Sequence, residues 1–217
     1  MTREDRVLKT VVGLISRYPS LETCRDDILR AFDIMRGSFE EGGKLLICGS
    51  GGSASDALHI TGELMKAFMT KRTISADVEM ELNAIDEEDG AYLSSHLEGA
   101  LPAIALVENS ALATALQNDI AGDIAYAQQV LGLGNRRDVL LAISTSGNSK
   151  SGAYAIEVAK AKGLSTIGLT GSKGGRFKKL CDTVIRVPET ETYKVQELHL
   201  PVYHALCRML EVYFFGE

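Results

Sequence analysis

The sequence is poor in the devices that define many protein classes. Its four cysteines, Cys24, Cys48, Cys181 and Cys207, are widely separated and form no C-x-x-C pair, so neither a disulfide framework nor a thiolate zinc site is suggested. They read as reduced core thiols. No run approaches the roughly 18 uninterrupted apolar residues of a membrane span, and the charged start Met-Thr-Arg-Glu-Asp-Arg has no apolar signal segment behind it. A soluble, cytoplasmic protein without a membrane partner is expected. Two nucleotide fingerprints are also missing: Gly49-Ser50-Gly51-Gly52-Ser53 lacks the third glycine of G-x-G-x-x-G in register, and no G-K-[ST] occurs. Finally, residues 73–100 contain eight acids and no Lys or Arg, which leaves 23 basic against 21 acidic residues elsewhere. That near balance excludes a broad basic face for nucleic acid and leaves a small anion as a fitting partner.

What is present points to one domain. A chain of 217 residues, 45% apolar, can bury one substantial core. Residues 3–40 predict two amphipathic helices broken near Tyr18-Pro19-Ser20, with Ser20 as an N-cap. Short apolar runs then follow at 44–48, 101–107, 138–143, 164–169 and 182–187. Helical segments separate them at 54–69, 110–133, 150–162 and 173–179, and a last helix covers 193–215. Strands without alternation, separated by helices, imply a parallel sheet covered on both faces. The expected fold is α/β: a three-layer αβα sandwich with a five-stranded, flavodoxin-like parallel sheet, N-terminal helices over 1–40 and a long C-terminal helix. The acidic segment 73–100 breaks the alternation and is treated as an insertion, either a helical excursion or a mobile flap around Asp86-Glu87-Glu88-Asp89-Gly90.

Ligands of such sheets sit beyond the carboxyl ends of the strands. Three turns there are rich in glycine and hydroxyls: Gly49–Ser53, Ser144–Ser149 and Thr170–Gly175. Each opens a helix, whose first amides and dipole favour an anion. Past the first turn, His59 and Glu63 stand at i and i+4 on one helical face. Gln196 and His204 are eight apart on the last helix and point roughly the same way. Two imidazoles, a carboxylate and an amide oxygen are an acceptable donor set for a divalent ion such as zinc.

The order GSGGS, Ser55-Asp56-Ala57-Leu58-His59-Ile60-Thr61-Gly62-Glu63-Leu64, Gln117-Asn118-Asp119, Asp138 to Ser149, Arg186-Val187-Pro188 and Val195 to His204 resembles the sugar isomerase (SIS) domain family, most closely its phosphoheptose isomerases. The resemblance covers nearly the whole chain except 73–100, so that residues 1–217 form a single SIS domain. It implies an aldose–ketose isomerase that converts sedoheptulose 7-phosphate to a manno-heptose 7-phosphate through an enediol, for surface glycan synthesis. Glu63 is implied as the carbon base and His204 as the acid/base on oxygen. Zinc is implied on His59, Glu63, Gln196 and His204, although a carboxylate bound to zinc is a weaker base. Ser50, Gly51, Gly52, Ser53, Glu63, Asn118, Asp119, Ser144, Thr145, Ser146, Ser149 and Gln196 are implied to line the sugar phosphate pocket, with the Ser144–Ser149 turn on the phosphate. A homotetramer with shared active sites is implied as well. Members of the same family also include non-catalytic tetramers that bind the replication initiator or sense sugar phosphates; His204 beside Glu63 weighs against that alternative.

Three positions depart from the family pattern. Ser50 stands where Asn is usual, and Tyr193 where an acid is expected. Pro201 falls between Gln196 and His204, where loss of a helix bond predicts a kink or a helix start. His96 is expected to be a solvated surface residue, and His199 a neighbour of the site.

Overall fold

A computed structural model describes residues 2–216 of the chain. The first helix, α1 (Arg3–Arg17), opens with a reciprocal cap: Thr2 accepts from the Asp5 amide at 3.0 Å and Asp5 from the Thr2 amide at 2.9 Å. It stops before Pro19, as the constraint on a pre-proline residue requires. Ser20 does not cap the next helix. It sits inside a 3-10 turn, Pro19–Cys24, and α2 (Arg25–Glu40) starts after Cys24 without a side-chain cap.

Five strands, β1 (Leu45–Gly49), β2 (Ala103–Ala105), β3 (Val139–Ile143), β4 (Ser165–Gly171) and β5 (Thr183–Val187), form one parallel sheet in the order β2-β1-β3-β4-β5. This is the expected flavodoxin-like order. The strands lack polar alternation because both faces are covered. Leu45, Ile47, Val139, Leu141 and Ile143 enter a core with α1, α2, α3 (Gly52–Met65) and α10 (Thr192–Phe214). Leu46, Cys48, Leu140 and Ala142 enter a second core with α7 (Ala125–Leu133), α8 (Lys150–Lys162) and α9 (Phe177–Leu180). Asp138 pins the strand starts by accepting from the Lys44 amide at 2.9 Å, its Nζ at 2.6 Å and the Asn135 amide at 2.8 Å. Among the described residues no helix is long and apolar enough to cross a membrane.

Two expected helices differ clearly in extent. The helix expected over 110–133 is divided into α6 (Ser110–Asp119), a 3-10 turn Gly122–Ile124 and α7. The helix expected over 173–179 shrinks to α9, because Gly174 and Gly175 adopt φ of 69° and 49°, outside the right-handed helical region. Within 73–100, α4 (Ala76–Ile85) and α5 (Glu87–His96) form a helical pair. Its acids are used locally: Asp86 accepts from the Asp89 amide at 2.9 Å, and Glu87, Glu88 and Asp89 fill the first turn of α5, where the dipole favours them. The helical excursion is therefore the form taken.

Pro201 does not start a helix. α10 runs as one element from Thr192 to Phe214. Proline cannot bond back to the Glu197 carbonyl, but Val195, Val202, Tyr203 and Leu206 are buried in the sheet-facing core, and that packing carries the helix across the missing bond.

Candidate active site

The chain leaves β1 through Ser50 and Gly51. Gly51 has φ 61° and ψ −127°, a conformation a side chain would strain. Gly52 is the first residue of α3, and a Cβ there would lie 2.3 Å from Gln196 Nε2. The bare turn thus admits the Gln196 amide of α10. Further along, His59 meets Tyr203 and His204, and beyond α3 the Phe68 amide meets Glu211, so that partners stay 143–145 residues apart. A constant offset of this kind means that α3 and α10 run side by side in one direction.

That register assembles the proton-moving groups. His59 Nε2 lies 3.1 Å from Glu63 Oε1 and 3.5 Å from His204 Nε2, while its Nδ1 lies 3.0 Å from the Tyr203 hydroxyl. The Phe68 ring tilts against His204 at 5.5 Å. Burial, then the neighbouring His59 and Arg17, hold the His204 imidazole below its ordinary pKa; Glu63 opposes them. A neutral imidazole that both accepts and donates a proton results. Glu63 and His204, 141 residues apart in sequence, therefore converge on one nitrogen of His59.

The serine-lined side is more dispersed. A cleft of 400 Å³ opens between Ser50, Gly51, Val107, Gln117, Tyr126 and Ser151, with the Tyr126 hydroxyl donating to the Gly49 carbonyl at 2.5 Å. Ser53 is turned inward and is 2% exposed. Asn118 and Asp119 are exposed at the end of α6, bonded to each other at 2.7 Å; their neighbour Gln117 lines the cleft instead. Ser144 is buried, Ser149 caps α8 by accepting from the Gly152 amide at 3.2 Å, and Thr145 and Ser146 border a separate recess of 230 Å³ with Ser172, Lys173 and Glu189. The third glycine turn braces the second: a Cβ on Gly147 would meet the Gly174 carbonyl oxygen at 2.2 Å, and one on Gly175 the Ser146 oxygen at 2.5 Å.

The metal expectation meets a mixed geometry. Separations of 3.1 and 3.5 Å match the roughly 3.3 Å edges of a tetrahedron with zinc bonds near 2.0–2.1 Å. Gln196, however, lies over Gly52, seven residues and about 10 Å along α3 from His59. Among the described residues no group of three or more His, Cys, Asp or Glu side chains is arranged to hold an ion. The donor types suit zinc, but the four-ligand arrangement is not closed.

His199 is not beside these groups in any contact that matters to them. It is fully buried, with both ring nitrogens lacking a hydrogen-bond partner. Burial pushes its pKa down to about 4, against a weaker pull from the Thr170 backbone. His96 is exposed, with Nδ1 2.7 Å from the Tyr92 carbonyl, and Tyr193 is 57% exposed.

Sequence reasoning missed Asp56, Tyr203, Arg72 and Glu211. Asp56 could have been found three residues before His59 on the same face. Arg72 and Glu211 leave no pattern: they pair in the interior, side chains 0% exposed and 3.1 Å apart, and Arg72 also donates to the Glu63 and Leu64 carbonyls at 3.1 and 2.8 Å. This clamp fixes the end of α3 that carries Glu63.

Comparisons with known proteins follow the same outline. The model of the SIS domain family matches residues 14–99 and 90–171, running through most of the acidic segment. The chain is 39% identical over 208 residues to a phosphoheptose isomerase of Rhodospirillum rubrum, covering 96% of this chain and 97% of that one. With a phosphoheptose isomerase of Helicobacter pylori it shares 36% identity over 195 residues, 90% and 88% of the two chains. Among solved structures, a phosphoheptose isomerase from Francisella tularensis superposes with a TM-score of 0.73 at 31% identity, covering 97% and 98%. The phosphoheptose isomerase of Neisseria gonorrhoeae gives 0.71 at 29% identity, covering 97% and 99%.

Proposed function

We propose, from the premise that the chain belongs to the SIS domain family and within it to the phosphoheptose isomerases, that it interconverts sedoheptulose 7-phosphate and D-glycero-manno-heptose 7-phosphate through an enediol. The single observation that carries the mechanism is the meeting of Glu63 and His204 at one nitrogen of His59, its Nε2. Isomerisation moves one proton between adjacent carbons and one between their oxygens. In this reading Glu63 takes the proton from the carbon next to the carbonyl and returns it to the other carbon, while His204 shuttles the oxygen proton. The neutral, depressed imidazole of His204 suits a group that accepts and donates in one turnover.

The bare turn of Ser50, Gly51 and Gly52 with Gln196 would bind the sugar end, and the Ser144–Ser149 turn its phosphate, by backbone amides and hydroxyls rather than by lysine. The exposed turn residues support this role; Ser53 and Ser144, being buried, would act by shaping the backbone. A divalent ion, zinc by its donor types, would be held by His59, Glu63 and His204 with Gln196 moved in from Gly52, and would polarise the substrate oxygens as a Lewis acid. A homotetramer sharing its sites, working in the cytoplasm on a phosphorylated intermediate of surface glycan synthesis, completes the reading.

The test is direct. Protein incubated with sedoheptulose 7-phosphate yields an aldoheptose phosphate, and in deuterated water the product carries deuterium at the carbon that exchanged its proton. Glu63→Gln and His204→Ala each remove turnover while circular dichroism and the unfolding midpoint stay near the parent's. Turnover that survives both substitutions overturns the assignment.

A further inference from the structure

An enediol forms by way of a negative oxygen. When Glu63 removes the proton from carbon, the C–H electron pair becomes the carbon–carbon double bond and the carbonyl pair moves onto oxygen, which stays charged until a proton reaches it. A neutral His204 can hand over that proton but brings no positive charge beforehand. A fixed cation beside His204 would stabilise the oxygen as its charge develops.

The first helix carries one to that place. α1 runs antiparallel to α10: Arg3 stands over the Tyr213 ring at 5.5 Å, and Arg6 donates to the Gly216 carbonyl at 2.9 Å. Arg17 lies eleven residues beyond Arg6, about 16 Å along the helix, and His204 lies twelve before Gly216. The last turn of α1 therefore arrives at the level of His204. There a recess of 220 Å³ opens between α1, α10 and the segment after α3. Glu197, Pro201, His204 and Arg208 form its α10 side, at i, i+4, i+7 and i+11 of one helical face, and Arg17 and Phe68 line it as well.

The cations near His204 are not alike. Arg208 is committed to the fold, donating to Glu211 at 2.6 Å and to the Thr70 hydroxyl at 2.8 Å. Arg72 is buried against Glu211. Arg17 makes no ion pair among the described residues: its Nε donates to the Gly13 carbonyl at 3.4 Å, and its guanidinium lies 5.7 Å from the centre of the Tyr18 ring. Its charge is felt at His204, where it is a lesser influence after burial and His59. Glu197 is the one carboxylate of the recess and is exposed, so water screens it from Arg17.

We infer that Arg17 is a further catalytic residue, which lays its guanidinium on the substrate oxygen that turns negative in the enediolate, on the α1 side of His204. This deepens the isomerase reading and rests on Glu63 and His204 as the proton-moving pair. A guanidinium keeps its charge at any working pH. It holds the charged oxygen more strongly than the neutral carbonyl before it, which raises kcat rather than ground-state binding.

The test compares two ligands by calorimetry, with chelator present so that no bound ion supplies the charge. An aldonic acid 7-phosphate of seven carbons carries a carboxylate at the reacting end; the matching alditol 7-phosphate is neutral there. The parent should bind the aldonate more tightly. Arg17→Met should lose affinity for the aldonate by about 10–100-fold and for the alditol by less than about threefold, and Arg17→Lys, which keeps the charge, should recover part of the difference. With sedoheptulose 7-phosphate, kcat of Arg17→Met should fall about 100-fold while KM changes by less than about threefold. Equal losses for the two ligands would make Arg17 an anchor for the phosphate and overturn the inference, as would an Arg17→Met protein whose ligand preference and kcat match the parent's. An Arg17-dependent preference for the aldonate in a protein that does not turn over sedoheptulose 7-phosphate would support the inference and count against the substrate reading alone.

Discussion

Replacing Glu211 by Gln removes one charge from the least accessible ionic site in the protein. Glu211 is 0% exposed and accepts from the Phe68 amide at 2.8 Å, the Met69 amide at 3.0 Å, Arg208 at 2.6 Å and Arg72 Nε at 3.2 Å. Burial pushes its carboxyl up, yet these donors outweigh it and hold the group below the ordinary carboxylate range. In Glu211→Gln the Arg72 guanidinium, itself 1% exposed, keeps its charge without a counter-ion, and the new amide group turns donors toward donors. Breaking a buried pair from one side costs about 3–5 kcal/mol. For a chain of this length each kcal/mol is worth about 2–4 °C, so the midpoint falls by roughly 6–20 °C. Urea titration with an unchanged slope would report the same loss as free energy. Because Arg72 also holds the Glu63 and Leu64 carbonyls, kcat falls further than the folded fraction does at a temperature where both proteins are folded. The double variant Arg72→Met/Glu211→Leu removes both charges and recovers much of the lost stability. A midpoint within 2 °C of the parent in Glu211→Gln, or a double variant no better than the single, would refute the clamp.

The sheet was readable because a strand buried on both faces has to be apolar throughout, and the runs around Leu45–Cys48 and Val139–Ile143 are. Periodicity could not see where α6 ends: Ala, Leu and Gln continue past Asp119, and the break depends on the 3-10 turn at Gly122–Ile124. Gly174 and Gly175 read as a phosphate turn, whereas their positive φ serves a backbone contact with Gly147 and Ser146 that only the tertiary structure defines. In the site, the i, i+4 spacing of His59 and Glu63 was visible at once. Their meeting with His204 depends on the parallel register of α3 and α10, which no local pattern encodes. Tyr203 was hidden by its surroundings, since a tyrosine among Val202, Ala205 and Leu206 looks like core until its hydroxyl is traced to Nδ1.

Two glycines with close neighbours should respond in opposite ways. Gly52→Ala pushes against the movable Gln196 amide, so stability changes by less than about 0.5 kcal/mol while KM for the sugar phosphate rises. Gly147→Ala meets the Gly174 backbone at φ 67° and costs at least about 2 kcal/mol; equal unfolding midpoints for the two variants would contradict this. Elemental analysis after purification without chelator should find a divalent ion bound to the parent and less in His59→Gln; no ion in the parent, with turnover indifferent to chelator, removes the metal from the proposal. The last expectation concerns acid. His199 is neutral in the fold down to about pH 4, whereas an unfolded histidine takes up its proton below about 6.5. Because the folded pKa is the lower one, the stabilising term is complete above the unfolded value and disappears as pH falls from about 6.5 toward 4, amounting to about 2 kcal/mol by pH 5 and about 3 kcal/mol in full. Carboxylates also titrate in this window, so the reading comes from comparison. His199→Phe should lose less stability than the parent between about pH 7 and pH 5, measured by urea midpoint. Parallel curves for the two proteins would mean that the imidazole has a proton-holding partner in solution and is not the unpaired base that its buried position implies.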